Sequence, residues 1–263
     1  MASEAIKQGH WVTALEQMES DLKWKSVLSG LSESCYSFAV RSISDSLPTN
    51  VNLSLWGKVG FSSCGLCGSG KETLLHVLNG CPVALPRFHW RHNVILLKLS
   101  EFISEHLKDE PSSPTVITDL EVRGRTFNME AVVHTIPPDI LVTNQRPDIV
   151  ITDRVAKRVT LIELTVPFER NIESARDRKA KKYSSVIANI ESSGFKCIYY
   201  SIEVGARGVI AHGTAAVLRS ITGASRKEIK TVMKDLAMTV IKCSYLIFLQ
   251  KDNHLYNFNF TME

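Results

Sequence analysis

The chain has 263 residues, 44% of them hydrophobic, enough to bury a sizeable core in two or three compact units. A net charge of +4 and a pI of about 8.7 exclude a global basic field, so any nucleic-acid contact must come from local patches. No apolar run reaches the roughly 18 residues that span a membrane, and the start MASEAIKQGHW has no signal-peptide core.

Six cysteines, three of them clustered, fit an intracellular metal site better than a disulfide framework, so a soluble intracellular chain is expected. Residues 1–48 read as a helical segment. Trp11, Leu15, Met18 and Leu22 share a face, and a second helix over 31–47 follows Gly30 and stops at Pro48. Residues 49–108 begin rich in Gly, Ser and Cys and end in a helix over 86–108. The stretch DEPSSPT at 109–115 is the best linker. Over 116–205 the pattern is α/β: a strand near 119–122, a short helix near Glu130, a strand over 140–143, then a strand–turn–strand–helix unit from Arg146 to Tyr183. A strand over 195–204 is apolar enough to be buried on both faces. Residues 206–263 hold two further helical patterns, over 209–220 and 226–249.

Cys64, Cys67, His76 and Cys81 give C-x2-C-x8-H-x4-C. A thiolate pair two residues apart forms one jaw of a tetrahedron, and a His and Cys on the next turn form the other, which predicts a structural zinc. Cys35, Cys197 and Cys243 sit in apolar surroundings and read as core thiols. Directly after this cluster, Arg87-Phe88-His89-Trp90-Arg91-His92-Asn93 interleaves cations with aromatics. Such a run grips a nucleic-acid strand, or is an amphipathic helix with Trp90, Val94 and Leu97 inward and its basic residues solvated; the residues alone leave both open.

The most informative stretch is RPDIVITDRVAKRVTLIELTVPFERNIESARDRKAKKY, residues 146–183. Asp148 opens its first strand and Glu163 interrupts the apolar second one. Strand alternation puts Val159, Leu161, Glu163 and Thr165 on one face, with Thr160, Ile162, Leu164 and Val166 on the other. A carboxylate there is costly to bury without a cation, and two acids brought together across a hairpin suit a hard ion such as Mg²⁺. A salt bridge is the plainer alternative for Glu163. In the helix that follows, Asn171 is the N-cap candidate, and Ile172, Ala175, Tyr183, Val186 and Ile190 form the buried stripe. Lys179 falls in mid-stripe, pairing with the acids or snorkelling past them. Arg178 and Lys181 point away, and Lys182 lies at the edge. Asp139, nine residues before Asp148, is a decoy with no acid at hairpin spacing except Asp153. Glu130 is a candidate for an extra acid.

The order of these motifs resembles the C-terminal part of site-specific non-LTR retrotransposon proteins. A CCHC knuckle, Arg91-His92-Asn93, Arg146-Pro147-Asp148, Glu163-Leu164-Thr165 and Lys179-Ala180-Lys181-Lys182-Tyr183 carry the resemblance, over about residues 50–205. It implies an α/β fold: a restriction-endonuclease-like PD-(D/E)xK core, a small mixed sheet flanked by helices, over 116–205, preceded by the zinc knuckle. It also implies an enzyme that nicks target DNA in the nucleus so that the free 3′ end primes reverse transcription. DNA is the partner, with the element's RNA as a second candidate. Asp148 and Glu163 would hold catalytic magnesium, Lys179 would act on the metal-bound water or the phosphorane, and Lys182 is the alternative lysine. The nucleic-acid contacts would be Arg87, Arg91, His92, Asn93, Arg146, Lys182 and Tyr183.

Two departures from the family pattern stand out. Thr165 occupies the place where the common motif has its lysine, and no reverse transcriptase region precedes the knuckle, so a fragment, truncated copy or host-adopted module is expected. The rivals are a nucleic-acid-binding module that no longer cuts and a protein-interaction domain built on the N-terminal helices.

Overall fold

The computed structural model describes residues 9–121 and 134–254, apart from 17 and 21. Four strands form one sheet in the order β1-β2-β3-β4: β1 is Thr115–Thr118, β2 Ile149–Asp153, β3 Arg158–Thr165 and β4 Lys196–Glu203. β1, β2 and β3 run as an antiparallel meander. The chain then crosses over through a helix and returns β4 parallel to β3. The β2–β3 turn closes on Lys157 at φ 48°, while Asp153 accepts the Ala156 amide at 2.8 Å.

The helices are α1 Gly9–Glu16, α2 Trp24–Leu28, α3 Glu33–Ile43, α4 Asn50–Leu55, α5 Leu85–Leu107, α6 Ile172–Ser192, α7 Thr214–Thr222 and α8 Arg226–Leu249. α6 is the crossover. It covers one face of the sheet, where Tyr183, Val186 and Ile190 meet Val150, Val159 and Leu161. Ile149, Ile151, Ile162 and Leu164 face the opposite layer and join a core that runs from Trp11 to Phe248 through α5 and α8. The alternation expected for β3 is therefore the one observed. Burying such apolar faces contributes roughly 25 cal/mol per Å² of apolar surface removed from water. Among the described residues, no helix is long and apolar enough to cross a membrane.

The N-terminal helices are tied to the sheet by a buried ion pair. Arg207 donates from its amide and its Nε to Glu169, both residues being buried, and its guanidinium also reaches the Ser42 carbonyl at 3.1 Å and stacks 4.7 Å from the Trp11 ring. A Cβ at Gly205 would sit 2.7 Å from Glu169 Oε1, so a side chain there would collide with the pair.

Several element boundaries differ from expectation, each for a local reason. The first strand lies over Thr115–Thr118, not 119–122. Thr118 and Glu121 exchange hydrogen bonds, Thr118 N–H to Glu121 Oε2 at 2.9 Å and Glu121 N–H to Thr118 Oγ1 at 3.2 Å. This reciprocal cap turns the chain into a helical turn at 119. No strand forms over 140–143: the Pro137 carbonyl accepts the amides of Ile140 and Leu141, closing a turn that buries Ile136 and Ile140. β4 is half-buried over much of its length and not buried on both faces, because it is an edge strand. Asn171 does not cap α6 with its side chain; a 3-10 turn, Glu169–Asn171, leads in instead. Residues 209–211 are buried, Ile210 and Ala211 in isolated bridges to Val204 and Met18, and α7 begins only at Thr214, after Gly213 at φ 92°. α4 is an addition, capped by Thr49. Glu130 lies outside the described residues.

Candidate functional site

The cysteine cluster folds as its spacing predicts. Gly68 takes φ 71° directly after the second thiol, and its amide donates to the Cys64 carbonyl at 2.8 Å, closing the turn that carries both. His76 opens a π-helical turn, His76–Gly80, and Cys81 ends it, donating its amide to His76 O at 2.8 Å. Cys64 Sγ lies 4.0 Å from Cys81 Sγ, and Cys67 Sγ lies 3.4 Å from His76 Nε2. The four ligand atoms are all within 4.8 Å of one another. A Cβ at Gly70 would come 2.7 Å from His76 Cε1, so the backbone must be bare there for the imidazole to point inward. Amide and hydroxyl donors of Ser69 lower the Cys67 thiol to about 6, whereas burial pushes Cys64 up to about 11. Three thiolates and one imidazole closing a tetrahedron suit zinc, with every position filled by protein.

Glu72 is a member of this centre that the sequence reading passed over. It is fully buried, and it accepts from the Asn50 amide at 2.9 Å, the Gly65 amide at 3.2 Å and Lys251 Nζ at 2.8 Å. One carboxylate thus binds the knuckle to α4 and to the end of α8. Only a polar residue between Lys71 and Thr73, beside the glycine-rich turn, hints at it in the sequence.

Both arginines of the basic-aromatic run are internal, which corrects their assignment to the nucleic-acid surface. Arg87 is buried and donates to the Gln250 and Asn253 carbonyls. Arg91 is 1% exposed and donates to Ser244 Oγ and Leu78 O, each at 3.0 Å, and to Val166 O at 3.4 Å. Burial lowers its guanidinium to about 10, so it stays charged at neutral pH. Helical spacing explains both: residues 87, 91 and 94 lie on the inward face of α5. Arg91→Ala is expected to cost about 2–4 kcal/mol in chemical denaturation, through the void and the orphaned carbonyls. The folded fraction should keep its DNA affinity.

Asp148 sits just before β2, and continuing the β2–β3 register places it opposite Glu163. Its Oδ2 accepts the Leu164 amide at 2.8 Å and lies 3.3 Å from His92 Nε2. Glu163 is 1% exposed and pairs through Oε1 with Lys179 of α6. Its Oε2 is buried with no hydrogen-bond partner among the described residues. Burial raises the Glu163 pKa, and the nearby Asp148 charge adds to this against the pull of Lys179.

Asp119 was not singled out in the sequence. It is buried, its amide donates to Asp148 O at 3.0 Å, and it carries the β1–β2 register on to a third acidic position in line with Asp148 and Glu163. The signal that places it is the Thr118–Glu121 cap around it.

The remaining assigned residues divide. Lys179 is half-buried, while Arg178, Lys181 and Lys182 are exposed on α6. Lys182 Nζ bonds Tyr183 Oη at 3.0 Å and lies 4.6 Å from its ring centre. Tyr183 is fully buried, stacks against Tyr199 at 5.9 Å and donates to Arg146 O at 3.0 Å. It is a core residue and not the surface contact expected. Arg146 is exposed, 3.6 Å from Asp119. Asn93 lies 3.3 Å from His92 Nδ1. Asp139, the decoy, pairs with Arg154 on the surface. No family model matches the sequence, and no curated protein matches it.

Proposed function

We propose that this chain is a divalent-metal-dependent DNA endonuclease module of the PD-(D/E)xK type, similar to the nuclease region of site-specific non-LTR retrotransposon proteins. The observation that carries the reading is the meeting of Asp148 and Glu163 at the open end of the β2–β3 ladder, with Lys179 bonded to Glu163 from the crossover helix. The antiparallel meander followed by a helical crossover to a parallel strand supports it, as that is the framework such a nuclease requires. On this reading the protein works in the nucleus, on DNA.

The residues present suit a hard cation. Glu163 Oε2 is a buried carboxylate oxygen that meets the geometry of a hydrogen bond with no group among the described residues, which costs free energy, although the Tyr183 hydroxyl lies near enough to favour its charge. Burial first, and the Asp148 charge second, raise the Glu163 pKa despite the pull of Lys179, so a bound cation would favour its ionised form. Asp148 and Glu163 would hold Mg²⁺, which when bound lowers the pKa of a coordinated water and offsets charge on the phosphate. Lys179 places its ammonium beside that position, where it orients the attacking water or the developing phosphorane oxygens. Arg146, 3.6 Å from Asp119, and Lys182, bonded to Tyr183, are exposed beside the acids and suited to backbone phosphates. Supercoiled plasmid incubated with the purified protein should be converted to open circles with Mg²⁺ and left intact with chelator. Plasmid left intact under both conditions at full DNA occupancy would overturn the proposal.

A further inference from the structure

With Arg91 facing inward, His92 is rotated about 100° around α5, toward the end of the sheet. Its side chain is 23% exposed. Among the described residues the two imidazole nitrogens face oxygen atoms: Nε2 lies 3.3 Å from Asp148 Oδ2 and 3.2 Å from the Leu164 carbonyl, and Nδ1 lies 3.3 Å from Asn93 Oδ1. Continuing the β2–β3 register sets Pro147 opposite Leu164. Proline has no N–H to offer that carbonyl. The ladder therefore ends there, and its two loose groups are taken up by side chains: Asp148 accepts the Leu164 amide at 2.8 Å, and His92 meets the Leu164 carbonyl. One oxygen of Asp148 is thus fastened from two sides, by the backbone of β3 and by the imidazole of α5.

Resting on the carboxylate reading above, the geometry points to His92 as a positioning residue of that site. It acts through Asp148, holding the carboxylate turned into the end of the ladder and so presenting its other oxygen outward. Its contribution is to cation affinity and not to DNA affinity, the role that the basic-aromatic run had implied. Arg91 serves the same arrangement, because its bonds to Leu78 O and Val166 O fix α5 between the knuckle and the exit of β3.

The test is Mn²⁺ binding followed by electron paramagnetic resonance, on the full zinc-loaded chain without DNA, beside DNA affinity measured in EDTA. Asp148→Asn should abolish tight Mn²⁺ binding. His92→Ala should weaken it about tenfold or more, as loss of a group that orients a ligand commonly does. His92→Gln, which retains an N–H donor, should recover most of it, and DNA affinity should match the parent in all three. If His92→Ala does not fold, His92→Leu fills the volume without a donor and is compared with His92→Gln. Equal Mn²⁺ affinity in those two, or a loss of DNA affinity with Mn²⁺ affinity intact, overturns the role given to His92 while Asp148→Asn still supports the carboxylate site. Equal binding by the parent and Asp148→Asn overturns the carboxylate reading and this inference together.

Discussion

Lys179→Ala is expected to slow plasmid nicking by about 10²-fold or more with DNA binding nearly unchanged, whereas Lys182→Ala should mainly weaken binding. The two lysines are three residues apart yet sit in different surroundings. Lys179 is half-buried and bonded to Glu163; Lys182 is exposed and rests on the ring of Tyr183. An ammonium held against a buried carboxylate keeps its position as charge develops nearby, while an exposed one contributes to phosphate attraction that salt screens. Removing Lys182 should therefore reduce the salt dependence of DNA affinity and leave cleavage at saturation largely intact. The neighbouring position adds a rescue test. Thr165 is buried on the same face of β3 as Glu163, and its Oγ1 has no hydrogen-bond partner among the described residues. Thr165→Lys combined with Lys179→Ala should restore part of the lost nicking. Single-turnover cleavage at saturating protein separates the outcomes: a dead Lys182→Ala beside a fully active Lys179→Ala would reverse the roles.

Loss of the zinc centre should disable far more than the knuckle. The purified chain is expected to carry about one zinc, tightly held, since four protein ligands close the coordination sphere. Leu78 and Asn79, inside the turn between His76 and Cys81, contact Arg91 and Val166. Cys81 itself leads into Pro82–Ala84 and then α5. Without the metal, the start of α5 loses its brace, and with it the placement of His92 against Asp148. Cys81→Ser should reduce bound zinc to near none, lower thermal stability and suppress nicking even when Mg²⁺ is abundant. Elemental analysis finding no zinc in wild-type protein prepared without chelator, or full retention in Cys81→Ser, would contradict the assignment.

The parts of this architecture legible in the sequence are those fixed by periodicity or by ligand spacing. α5 and α8 run within about two residues of their expected bounds, and β3 and α6 bury the faces expected of them, because long amphipathic patterns leave few alternatives. C-x2-C-x8-H-x4-C likewise brings four ligand atoms together. What was not legible depends on turn chemistry and on which way a side chain faces. Thr118 and Glu121 capped a helical turn where a strand over 119–122 was expected, and Pro137 closed a turn under Ile140. Arg87 and Arg91 read as surface cations because charge usually lies outside. Their oxygen partners come from α8 and the residues just after it, the knuckle and the loop after β3, as distant as 166 positions along the chain. Tyr183 was correctly placed on the buried stripe of α6, yet its hydroxyl turned to the Arg146 carbonyl and not to the surface. Asp119 became part of the acidic row only once the β1–β2 register was known.

The most direct measurement is single-turnover nicking of supercoiled plasmid by wild-type protein and Asp148→Asn, at saturating protein, with Mg²⁺ and with chelator. Asp148→Asn removes one charge at nearly constant shape, so folding and DNA affinity should be retained. The account predicts open circles from wild type only when Mg²⁺ is present, and a rate reduced about 10³-fold or more in the variant, as loss of a cation ligand implies. Equal nicking by the two proteins, or nicking by wild type that persists in chelator, would contradict it.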